Sequence, residues 1–110
     1  MKFEIFQSES SGKFYFRLKS RNGQVILQSQ GYEAKSGAQN GIASVTKNCR
    51  DTSCYETKQA SNGKWHFNLK STNGQVIGSS QMYASASTMK AGMEAIQRVA
   101  PIARLVDLSQ

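Results

Sequence analysis

What most constrains the fold of this chain is that the same passage is written almost twice. The run from Gly12 to Ile26 (GKFYFRLKSRNGQVI) returns 51 positions later from Gly63 to Ile77 (GKWHFNLKSTNGQVI). Counted without a gap from Gly12 to Val45, 16 of 34 positions are identical. Two copies of one supersecondary unit imply an architecture in which neither copy buries its apolar face alone. The chain has 110 residues, and a unit of half that length is marginal on surface-to-volume grounds, so the copies are expected to share one core. The expectation is a single domain, 1–110, with repeat one over 1–49 and repeat two over 54–108.

In each copy the first strand is short, Lys2 to Gln7 and Tyr55 to Gln59, with period-2 alternation. Ser11-Gly12 and Asn62-Gly63 supply the turn residues that follow. The second strand is the clearest. Phe14, Phe16 and Leu18 fall on one face and Lys13, Tyr15, Arg17 and Lys19 on the other; Trp65, Phe67 and Leu69 likewise oppose Lys64, His66, Asn68 and Lys70. Such alternation marks an antiparallel strand with one dry and one wet face. Asn22-Gly23 and Asn73-Gly74 predict type I′ hairpin turns. In the third strand, Val25-Ile26-Leu27 allows either parity to face inward.

After Tyr32 the period changes to that of a helix. Ser36 followed by Gln39 reads as a capping box, and Ala38, Gly41, Ile42 and Val45 form the apolar stripe. In the second copy Ser87 is the expected cap, with Met89, Gly92, Met93 and Ile96 as the stripe. Gly41 and Gly92 hold the same helical position, each at about 1 kcal/mol relative to Ala. A penalty taken twice predicts helix backbone packed so closely that no side chain fits. Tyr32 and Tyr83, just before the helices, are expected to pack under the helix entry, with two symmetric ligand pockets as the other reading. Arg104 to Leu108 reads as a closing strand. The fold class is therefore α+β: two tandem β-β-β-α repeats, one antiparallel sheet, and both helices on one face.

The order Gly-Lys-aromatic-x-Phe-x-Leu-Lys, Asn-Gly-Gln-Val-Ile, Ser-x-x-Tyr, then a helix carrying Gly-Ile-x-Ser-Val, resembles the YegP-like family of small, mainly bacterial proteins. The nearest stretches are Gly41 to Val45 and Gly74 to Tyr83; Met93-Glu94-Ala95-Ile96 departs from the pattern. The resemblance implies a β(3)-α repeat fold whose closing strand is exchanged between the halves. It implies no activity, since the family is one of unknown function.

Chemistry narrows the functional classes. The single histidine, His66, has Tyr15 as its counterpart, and the seven acids have no close sequence pairs, so an enzyme is not expected. No cofactor or metal is expected, because Cys49 and Cys54 lack companion ligands at zinc spacing. With no signal-peptide pattern at the start, the reading is a cytoplasmic protein with reduced thiols. No membrane span is present in the sequence. Fourteen Lys and Arg against seven Asp and Glu give a net charge of +7, which invites an anionic partner. Two partner classes follow. A protein strand, or a second copy, would use the sheet edges; edges guarded by Lys2, Lys58 and Arg104 would instead leave a monomer. Single-stranded nucleic acid would use the basic outer face, Lys13, Tyr15, Arg17, Lys19, Lys64, His66, Asn68 and Lys70.

Overall fold

The computed structural model describes residues 1–109. Each repeat forms three strands and a helix: β1 (Lys2–Gln7), β2 (Phe14–Lys19), β3 (Val25–Ser29) and α1 (Lys35–Asn48), then β4 (Tyr55–Gln59), β5 (Trp65–Lys70), β6 (Val76–Ser79) and α2 (Ala86–Val99). A last strand, β7 (Arg104–Asp107), follows a 3₁₀ turn. All seven strands form one sheet in the order β4-β5-β6-β3-β2-β1-β7. The two repeats meet at β3 and β6, which pair antiparallel through Gln28 with Ser79 and Ser29 with Gly78. Across this seam the Gln24 side-chain amide donates to Gln81 Oε1 at 2.8 Å. Six strands are antiparallel. The seventh is not: β7, which follows repeat two in sequence, crosses to repeat one and pairs parallel with β1. The exchanged closing strand is therefore present, and it makes the sheet mixed.

The inward parity is the one the alternation predicts. Phe3, Ile5, Phe16, Leu18, Phe67 and Leu69 join Ala38 and Val45 of α1 and Met89 and Ile96 of α2 in one buried cluster, so both helices cover the same face. The ambiguity of the third strands resolves in favour of both parities. Leu18 faces Leu27 but Lys19 faces Val25, which leaves Ile26 as the extra residue of a β-bulge. Ile26 and Leu27 are consequently both buried, and repeat two does the same with Ile77 and Gly78.

Three local expectations are corrected. The Asn-Gly hairpins are not type I′, because in each pair only the glycine, Gly23 (φ 84°) or Gly74 (φ 87°), has positive φ, and Asn22 and Asn73 do not. Each loop is a longer one, closed by the Ser20 amide on Gln24 O (2.9 Å) and the Ser71 amide on Gln75 O (2.9 Å). Asn22 and Asn73 act through their side chains, accepting from the Gln24 and Gln75 amides and from the Ser20 and Ser71 hydroxyls. Helix capping also differs. Ser36 lies inside the first turn of α1, whose cap position is Ala34 and has no side-chain cap. The cap of α2 is Ser85, boxed with Thr88, rather than Ser87. Both helices start at a fixed distance from a pinned tyrosine: Tyr32 bridges Phe14 and Tyr83 bridges Trp65, which puts Ala34 at the cap of α1 and Ser85 at that of α2. Finally, Lys2 guards no edge, since β7 covers β1.

Candidate functional site

Register brings one polar row across the outer sheet face: Glu4, Arg17, Gln28, Ser79, Asn68 and Glu56 lie side by side from β1 to β4. Each end of the row is a carboxylate gathering cations. Glu4 accepts from Arg17 Nε at 2.7 Å and pairs with Lys2 (3.4 Å) and Lys19 (3.4 Å). Glu56 pairs with Lys70 at 3.0 Å and Lys58 at 3.6 Å, and accepts from Asn68. The two ends are not equal. Glu4 is 4% exposed, whereas the Glu56 side chain is 40% exposed. Burial works to raise the Glu4 carboxyl, but hydrogen bonds from Arg17, Lys2 and Lys19 outweigh it and hold the group below the usual carboxylate range.

The outer-face residues therefore sit together as predicted, but most are already engaged. Arg17 also lies over the Phe6 ring, 4.4 Å from its centroid, and Tyr15 stacks on the other side chain of that pair at 5.6 Å, leaving less ring for a base. Lys13 pairs with Glu33 at 3.6 Å. Asn68 accepts from the Ser79 hydroxyl at 2.6 Å. Lys64 makes no ion pair among the described residues. His66 is half-buried rather than exposed, and its Nδ1 is shielded without a hydrogen-bond partner.

Beneath the helices, the tyrosines fill the space that the glycines leave. Tyr32 stacks on Phe16 with centroids 6.4 Å apart, and Tyr83 on Phe67 at 6.4 Å. A Cβ on Gly41 would lie 2.6 Å from the Phe16 ring and 2.7 Å from the Tyr32 hydroxyl; on Gly92 it would overlap the Tyr83 hydroxyl. The close approach is made by a tyrosine in both copies. Burial raises the Tyr32 hydroxyl pKa above its ordinary value. Cys49 and Cys54 are free and buried in the core, where burial pushes both thiols up, away from reactivity. The Tyr55 hydroxyl donates to Cys49 O at 2.6 Å, fastening the connection between the repeats.

Sequence patterning missed the surface around β7. The exposed large apolar side chains are Ile102 (81%), Leu105 (52%), Leu108 (49%) and Met82 (45%), and the first three lie on β7 or its flanks. Leu105 stands beside Phe3 in register, and the Leu108 amide donates to Ile5 O at 2.8 Å, extending the ladder past the strand. Main-chain groups alternate in direction along a strand, so with Leu108 bonded to β1 the Leu105 groups point outward. Asp107 anchors this edge to α1 through Lys35 Nζ at 2.9 Å. A spacing of three among residues 102, 105 and 108 was the available signal. It matches neither strand nor helix burial once β7 is extended.

Among the described residues no group of His, Cys, Asp and Glu is placed to hold a metal, and no helix is long and apolar enough to cross a membrane. Comparison with known proteins gives a consistent result. The family described as "Domain of unknown function (DUF1508)" matches twice, over residues 9–56 and 60–107. A UPF0339 protein of Pseudomonas aeruginosa is 46% identical over 108 residues, covering 98% of this chain and 97% of that one. UPF0339 protein YegP of Escherichia coli K12 is 48% identical over 95 residues, 86% of each chain. Among solved structures, the solution NMR structure of a UPF0339 protein from Shewanella oneidensis superposes with a TM-score of 0.91 at 40% identity, covering 98% of this chain and 91% of that one. The E. coli yegP solution structure gives a TM-score of 0.91 at 42% identity, covering 98% of this chain and 92% of that one. With two tandem matches, full-length relatives of this identity and solved structures that superpose at a TM-score of 0.91, the chain belongs to the UPF0339 (YegP, DUF1508) family.

Proposed function

We propose that this chain is a non-enzymatic cytoplasmic interaction module that receives a protein strand, from another protein or a second copy, along its β7 edge. One observation carries the reading: Leu105 is exposed on a strand whose outer side has no neighbour in the sheet, with exposed Ile102 before it and exposed Leu108 after it. An open edge with apolar side chains is what strand addition uses, with the main chain providing affinity and the side chains selectivity. The opposite edge fits poorly, because β4 presents Thr57, Lys58 and Gln59 to solvent. Single-stranded nucleic acid on the outer face is the weaker reading, since Arg17, Lys19 and Lys70 are already paired to carboxylates.

A photo-crosslinking amino acid placed at Leu105 in cells, and separately at Thr57, tests the reading. The expected result is a discrete protein adduct from position 105 that is lost in Leu108→Asp and retained in Arg17→Ala. A product of twice the chain's mass would identify a second copy as the partner. Equal products from position 57, or products removed by nuclease, would overturn the edge assignment.

A further inference from the structure

Where the β2–β3 hairpin meets the turn leading into β7, two adjoining hollows share Met1 and Arg21 as walls. The larger, about 330 Å³, is otherwise lined by Arg98, Val99, Ile102 and Ala103. The smaller, about 210 Å³, adds Lys2, Ser20 and Arg104. Three of the chain's five arginines therefore line these adjoining hollows from three separate elements, Arg21 in both, Arg98 in the larger and Arg104 in the smaller, and no Asp or Glu lines either. Seven other cations are held by carboxylates. Lys2, Arg17 and Lys19 share Glu4, Lys58 and Lys70 share Glu56, Lys13 has Glu33 and Lys35 has Asp107. Among the described residues, Arg21, Arg98 and Arg104 make no ion pair.

The repeat supplies an internal control. The corresponding place in repeat two is a hollow of about 280 Å³ lined by Asp51, Ser53, Cys54, Lys70, Ser71, Thr72 and Gly74. There Thr72 stands where repeat one has Arg21, and an acid is present. Arg21 is thus not required by the hairpin, whose counterpart in repeat two lines a hollow with threonine at that position. Clustered like charges in a concave surface repel one another and focus a positive potential, a cost that an anion would offset. Guanidinium groups match phosphate oxygens in paired hydrogen bonds. The other wall, formed by Met1, Val99, Ile102 and Ala103, is apolar, and the volume suits a small molecule.

We propose that this hollow binds a phosphorylated small molecule of the nucleoside diphosphate class. Its phosphates lie on Arg21, Arg98 and Arg104, and its flat apolar body on Val99, Ile102 and Ala103. Amide chemical shifts followed by NMR during titration with inorganic pyrophosphate and with ADP test the proposal. Saturable shifts are expected at Arg21, Arg98, Ile102 and Arg104 and not at Ser53 or Thr72, with ADP binding at least as tightly as pyrophosphate. Arg21→Gln with Arg98→Gln should weaken both at least tenfold. Both side chains are exposed, so the spectrum of the unliganded variant should remain that of the folded protein. Absence of saturation at millimolar ligand would overturn the proposal. So would equal shifts around Lys64, affinity unchanged in the double variant, or binding only to phosphatidylglycerol vesicles.

Discussion

Two kinds of residue set the local energetics, and each was half legible in the sequence. The repeated helix glycines announced close packing and the tyrosines were expected under the helix entry, but the contact between the two was not legible, because Tyr32 and Tyr83 reach their glycines only after the chain turns from bridge to helix. Alanine at Gly92 would gain about 1 kcal/mol of helix propensity. Overpacking against Tyr83 should cost about 1–3 kcal/mol and win. Urea denaturation is expected to show net destabilisation for Gly92→Ala, partly recovered by adding Tyr83→Phe. Gly41→Ala should not be rescued by Tyr32→Phe, since the Phe16 ring stands 2.6 Å from the added carbon. Glu4 offers a second test. It lies on the outer face beside Arg17, yet three cations and β7 bury it there. Glu4→Gln would leave Arg17, Lys2 and Lys19 without their shared anion and should destabilise by about 2 kcal/mol in denaturant titrations. The exposed Glu56→Gln should change stability far less.

At the scale of elements, β7 decides how repeat one is closed. It is held by its ladder to β1 and by the Lys35–Asp107 pair at 2.9 Å. Hydrogen bonds from Ser109 and then Lys35 bring the Asp107 carboxyl down to about 2. A carboxyl with a lowered folded pKa releases its proton more readily in the native state. Its contribution is therefore complete above the unfolded carboxylate pKa, near ~4, and is lost as pH falls toward the folded value. Glu4 acts with the same sign. Stability measured by urea midpoint is expected to be level near neutrality and to fall below about pH 4. Asp107→Asn should flatten that acid limb, and an unchanged limb would show that the pair does not hold β7. Strand boundaries were readable from alternation and turn residues. The capping positions were not, because the sheet bridges at Tyr32 and Tyr83 fix where each helix begins.

For the molecule as a whole, the consequence is cooperativity between the repeats. Core side chains from both copies form one cluster, and β7 covalently follows repeat two while completing repeat one. Trp65, the only tryptophan, reports on repeat two. Its fluorescence should share a denaturation midpoint with the far-ultraviolet circular dichroism of the whole chain. Truncation after Ala103 removes a strand from repeat one only. It should nevertheless lower the midpoint reported by Trp65; an unmoved tryptophan transition would mean that the repeats unfold independently.

Local spacing alone settled the repeat, the parities of the first two strands of each copy, the glycine-backed helices and the composition of the outer face. These are properties of local spacing, and period 2 and period 3.6 leave their record in adjacent residues. Only the tertiary structure decided what that face and its edges offer. Whether a lysine is free depends on a carboxylate on another strand, as Glu4 and Glu56 show. Whether a strand is an edge depends on what returns to cover it, so β1 is interior and β7 open. Arg21, far in sequence from Arg98 and Arg104, lines the same adjoining hollows only because the last strand crosses the sheet.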